Sequence, residues 1–161
     1  MEGLFIEQLF ENYPVNINQM RHHLKTKAAE LDLPYSELVK TYNSRLAHEL
    51  GHWADFKRKG TAFHKAAFRA YFVDGKNIAK ISVLLDLATS VGLSREEASE
   101  VITTRAFKGA VDVDWSLSRE IGITDVPTFV INQDRLVGAH PHELLKKLME
   151  TNRVKKKSQQ V

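Results

Sequence analysis

His48 and His52 stand four residues apart with Glu49 beside the first, so His48-Glu49-Leu50-Gly51-His52 matches H-E-x-x-H. On a helix that spacing puts both imidazoles on one face, where they could hold zinc while Glu49 polarised a metal-bound water. A catalytic zinc needs a third protein ligand. The extended form of the motif would place Gly at position 55 and His at 58, but Asp55 and Arg58 stand there. The next glutamate after His52 is Glu96, so only His64 or Asp74 could substitute. A zinc peptidase is therefore the alternative reading, and solvated or partly packed histidines are the main one, with no metal assigned.

No cysteine occurs in the 161 residues. That removes disulfides, thiolate nucleophiles and sulfur metal ligands together. Hydrophobic residues make up 43% and charged residues 27%, as in an ordinary soluble globular domain. The net charge is +3, but Arg153, Lys155, Lys156 and Lys157 sit together near the C-terminus, so the body before them is close to neutral. The residues from 151 on read as a basic, disordered, solvated tail and not as a nucleic-acid-binding arm. No apolar run approaches the roughly 20 residues that span a bilayer. The N-terminus carries acids and no basic leader, so a cytoplasmic location is expected, without membrane or nucleic-acid partners.

Any site must be carried by a succession of short helices, then a hairpin, then one last helix. A short amphipathic helix is expected over 4–12, stopped by Pro14. A second follows over 17–31, with Ile17, Met20, Leu24, Ala28 and Leu31 at helical spacing. Asn43 or Ser44 can cap the helix that bears the two histidines, whose apolar stripe is Leu46, Leu50, Trp53 and Ala54. The next helix starts at Gly60-Thr61 and is expected to bury Phe63, Ala67, Phe68, Tyr71 and Phe72. Ser82 opens a helix closed by Gly92. Ser94 and Glu97 form an S-x-x-E capping box, and a further helix spans 109–121. Trp53 and Trp115 are both expected in the helical core.

The texture changes after Pro127. Residues 128–131 are β-branched and aromatic and read as a strand. Asn132-Gln133-Asp134 turns, 135–137 return, and Pro141 opens a helix over 142–149. Two strands alone are marginal and need further strands or a cover.

The run GITDVPTFVINQDRLVGAHPHELLKKL, residues 122–148, resembles the C-terminal half of a DsbA-like thioredoxin fold, a family that includes 2-hydroxychromene-2-carboxylate isomerases and kappa-class glutathione transferases. YNSRLAHELGHWAD, FRAYFVDGKNIAKISVLLDLATSVGL and VDVDWSLSREIGI resemble the helical domain that these proteins insert, and Glu2-Gly3 its entrance. The resemblance covers 2–150. It implies an α/β class: an incomplete thioredoxin-like fold, with a C-terminal hairpin plus helix at 123–150 and a predominant all-α insertion domain at 1–122. It also implies a preceding strand–helix–strand bearing C-x-x-C or a serine variant, an element of at least roughly 30 residues. Its absence here is the reading of a truncated chain.

By the same resemblance Pro127 would be cis, and the backbone of Val126 would be the substrate-binding element, offering N–H and C=O groups to an extended peptide or glutathione. His140 and His142 flank Pro141 as exposed polar residues. The family catalyses disulfide exchange or glutathione-dependent isomerisation. This chain is expected to do neither with its own residues: it has no catalytic residue to assign and implies no cofactor. A peptide or thiol substrate is expected only if the missing half is supplied. The unpaired apolar hairpin leads to the expectation of a homodimer in which one copy covers the other. A dimeric interaction module is thus a further alternative.

Overall fold

The structure, a computed structural model, describes residues 3–155. The chain divides into two compact units, Met1–Asp112 and Val113–Val161.

The first unit opens on a two-residue strand, β1 (Leu4–Phe5), followed by the one-turn helix α1 (Ile6–Leu9). The single helix expected over 4–12 is therefore replaced. β1 pairs antiparallel with β2 (Lys40–Thr41), Leu4 opposite Thr41 and Phe5 opposite Lys40. The pairing is long-range, so no local pattern announces it. Gly3 makes it possible: at φ +71° a Cβ would lie 2.5 Å from Thr41 O. Ile6 is buried, and its N–H donates to Val39 O at 3.1 Å.

Helix α2 (Ile17–Glu30) forms where expected, though Leu31 falls past its end and is exposed, and it is capped by Asn16, whose Oδ1 accepts from Gln19 N at 3.0 Å. None of its residues is fully buried, and Leu24 remains exposed. Half-buried Arg21 donates to Glu7 at 2.8 Å, which ties α2 to α1.

The core is made by α3 (Arg45–Phe56), α4 (Gly60–Phe72), α5 (Ile81–Ser90) and α6 (Arg95–Thr104). Leu50, Trp53 and Ala54 of α3 meet Phe63 and Ala70 of α4, Leu84, Leu87 and Ala88 of α5, and Ala98, Val101 and Ile102 of α6. Each large side chain buried there contributes about 1.5–3 kcal/mol by leaving water. The expected α4 stripe is corrected. Phe63 is buried and Tyr71 packs half-buried, but Phe68 is 64% exposed and Phe72 also faces out. Ala67 packs against the core as expected, and Ala66 and Ala70 take the places expected for Phe68 and Phe72. Their small side chains let helices approach closely, and the larger rings are left at the rim. Ser94 caps α6 through Glu97 N at 3.1 Å, while the Glu97 carboxylate pairs with Lys57 at 2.6 Å.

Helix α7 (Lys108–Glu120) runs across the division between the units. Trp115, expected in the core, is 41% exposed. Val111 is the buried residue of its helix, and the turns around the tryptophan bury none.

In the second unit, β3 (Thr128–Ile131) and β4 (Asp134–Val137) form an antiparallel hairpin with Thr128 opposite Val137 and Ile131 opposite Asp134. Asn132 turns it at φ +56°, a conformation asparagine tolerates. Arg135 of β4 donates to the carbonyls of Ile121 and Gly122, using the acceptors that the end of α7 leaves over. Helix α8 (His142–Thr151) packs against β4. The hairpin and α8 are also joined by Asn152, which accepts from Asn132 Nδ2 at 2.9 Å and donates to Asp134 Oδ2 at 2.8 Å. The tail expected from 151 thus starts later, because α8 continues to Thr151 and Asn152 is bonded; its remainder, 156–161, lies outside the described residues. No described residue of this unit is buried, although Phe129, Val130 and Val137 are apolar.

Candidate functional site

The turn into β3 is built by short side chains. Thr124 Oγ1 donates to Asp125 Oδ2 at 2.7 Å, and Thr128 Oγ1 donates to Asp125 O at 2.5 Å. These bonds close residues 124–128 around Val126 and Pro127. The Val126–Pro127 peptide bond is cis. Val126 is 88% exposed, the most exposed large hydrophobic residue described. On the other side of the hairpin, Gly138 N donates to Pro127 O at 2.8 Å, so the ladder extends one residue past Thr128–Val137. The second edge of β3 has no strand on it among the described residues. An extended chain laid along this surface would pass Val126 and meet an unpaired strand edge beginning at Thr128, the arrangement used in recognition by strand addition. His140 and His142 are both exposed, and His140 Nε2 lies 2.8 Å from Val137 O.

The H-E-x-x-H run lies on α3 as expected, but its glutamate is turned the wrong way for metal chemistry. Glu49 is the single charged residue described as buried, at 1% exposure. Arg105 grips it through two bonds, Nε to Oε2 at 2.7 Å and Nη2 to Oε1 at 2.6 Å. Arg45 adds a third, Nε to Oε1 at 2.8 Å, and itself continues to Asp112 at 2.6 Å and to Lys108 O at 2.8 Å. The hydrogen bonds from Arg105 hold the Glu49 carboxyl below its ordinary pKa; burial opposes them and Arg45 assists. A carboxylate with two guanidinium partners has neither the basicity nor the exposure to polarise a metal-bound water. His48 is exposed and His52 half-buried, each with partners of its own. Among the described residues no group of three His, Cys, Asp or Glu side chains is placed to hold an ion. The zinc-peptidase alternative is corrected accordingly. Glu49 and its two arginines are a structural charge cluster that joins α3, the end of α6 and the start of α7. The sequence did not announce it, because Arg105 lies 56 residues from Glu49.

Comparison with known proteins places this geometry in a class. The profile of the DSBA-like thioredoxin domain family matches residues 5–150. The chain belongs to that family, and its fold is that of the disulfide oxidoreductases related to DsbA. Among curated proteins it is 31% identical over 115 residues to the uncharacterized protein YwbO of Bacillus subtilis, covering 69% of this chain and 56% of that protein. The chain thus spans little more than half the length of its curated relative. Among solved structures it is similar to a probable DsbA oxidoreductase of Streptomyces coelicolor, with a TM-score of 0.82, 23% identity, and coverage of 96% of this chain and 69% of that one. A candidate protein disulfide isomerase of Nitrosomonas europaea follows, with a TM-score of 0.66, 19% identity, and coverage of 91% and 86%. At these identities the two structures establish the fold, including the helical insertion. No described helix is long and apolar enough to cross a membrane.

Proposed function

We propose that this chain is the substrate-docking and helical part of a DsbA-type fold, and that it does not exchange thiols and disulfides with its own residues. The observation that carries the docking role is the exposure of Val126 at the head of an unpaired strand edge. An extended peptide or glutathione would add to that edge through backbone hydrogen bonds. The absence of own-residue redox chemistry follows from composition. Exchange proceeds by attack of a thiolate on a disulfide sulfur, and this sequence has no thiol. Redox activity would require a cysteine from polypeptide outside these 161 residues.

Two measurements test the proposal. In a dithiothreitol-driven insulin-reduction assay the chain should leave the rate at its buffer value, and a version extended upstream by a strand–C-x-x-C–helix segment should accelerate it. Catalysis by the unextended chain would overturn the inactive reading. For docking, titration of the ¹⁵N-labelled chain with glutathione, and with a capped octapeptide holding one central cysteine, should move the amide resonances of Val126 and Thr128. If neither probe moves them, Val126 is not a docking element.

A further inference from the structure

We infer that His140 is a positioning residue for the Val126–Pro127 turn; as a docking role this rests on the reading above. The regular ladder ends at Thr128–Val137, and one further bond, Gly138 N to Pro127 O at 2.8 Å, extends it to the turn. Beyond that point the chain must leave the sheet towards Pro141 and α8. Gly138 makes the departure at φ +99°, outside the range of ordinary side-chain-bearing residues. His140 then folds back: its Nε2 sits 2.8 Å from Val137 O and 3.8 Å from where a Gly138 Cβ would stand. The imidazole therefore lies in van der Waals contact with the Gly138 position, next to the residue whose N–H holds Pro127.

A carbonyl only accepts, so Nε2 must carry the proton in this bond. Nδ1 is left as the other ring nitrogen, with no part in the latch. The bond fixes 138–140 as a closed loop and keeps the Gly138 N–H aimed at Pro127 O. In the absence of the imidazole, the outward path of the chain is unconstrained just where the ladder must continue. The role needs a side-chain N–H at that reach, which a glutamine carboxamide supplies and an alanine does not.

The test uses the full chain, ¹⁵N-labelled, with hydrogen exchange at Gly138 as the first readout. His140→Ala should speed exchange of that amide by about three- to tenfold, the range of one exposed hydrogen bond. It should also weaken binding of the cysteine octapeptide at Val126, with the thermal midpoint unchanged. His140→Gln should return both to wild type. Wild-type protection of Gly138 in His140→Ala, or a loss that His140→Gln does not rescue, would overturn the inference. If the octapeptide binds no form of the protein but the exchange pattern holds, the docking reading fails and the latch on Pro127 stands.

Discussion

Glu49 is sealed from water between Arg45 and Arg105, and the whole set depends on a backbone irregularity. Arg105 ends α6 in the left-handed region at φ 55°, which costs a non-glycine residue roughly 1 kcal/mol. Its two bonds to Glu49 offset that cost and direct its fork inward. Removing the carboxylate charge should therefore do more than a surface substitution. Glu49→Gln is expected to lower unfolding stability by about 3 kcal/mol in urea titration, the low end for a broken buried pair because Arg105 is 41% exposed. The pH dependence has a definite sign. Glu49 has a depressed pKa in the folded state, so its contribution is complete above the ordinary carboxylate value of 4.5 and is lost as pH falls from there through the folded value. Acid titration of stability should thus be shallower in Glu49→Gln than in wild type below pH 4.5. Equal slopes in the two proteins would show that the cluster does not hold the charge.

Helix α4 is the element on which amphipathic spacing and tertiary packing disagree. Its aromatic residues at 63, 68, 71 and 72 look like one stripe, yet the contact surface is Phe63 and Tyr71 with the alanines 66, 67 and 70. Two substitutions separate the descriptions. Phe63→Ala should cost about 3–5 kcal/mol through the cavity it leaves, whereas Phe68→Ser should change stability by less than about 0.5 kcal/mol. Comparable losses at both positions in thermal unfolding would mean that α4 is rotated from the orientation described. Helix starts follow simpler rules. Ser94→Ala removes the acceptor for Glu97 N and should lower stability by about 1 kcal/mol.

Across the chain, burial is unevenly distributed. The first unit holds all the residues of the continuous core, and the second has no buried residue among those described. A two-stranded sheet with one helix is marginal in water, and three or more strands are the usual minimum. The β3 edge, Thr-Phe-Val-Ile, carries none of the charges, internal prolines or bulges by which exposed edges are kept from pairing. We propose that a second copy, paired antiparallel about a two-fold axis, takes that edge when no substrate strand lies on it, so that dimerisation and docking compete for one surface. Such pairing sets no like charges opposite each other and gives a four-stranded sheet. Sedimentation equilibrium should report a mass near twice 18.3 kDa, and Val130→Lys should return it to the monomer value. A monomer at every accessible concentration would remove the proposal.

What could be read from the residues was local or carried by order along the chain. Caps and breakers marked some helix ends: Ser94 accepts from Glu97 N at the start of α6, and Gly92 takes a positive φ after α5. β-branched residues and a turn-forming asparagine marked the β3–β4 hairpin to within one residue. The blocks around Val126–Pro127 and along the helices carried the family, because a fold leaves its composition in segments even when few positions are identical. Three features were decided only in three dimensions. The β1–β2 pair joins Leu4 to Thr41 and Phe5 to Lys40, far apart in the chain, and Glu49 finds Arg105 across 56 residues. Trp115 and Phe68 are apolar by type but exposed by placement. Spacing along a chain states which residues share a helix face; it does not state which face a neighbour covers, nor which distant guanidinium reaches a carboxylate, because both depend on packing between segments that no local pattern encodes.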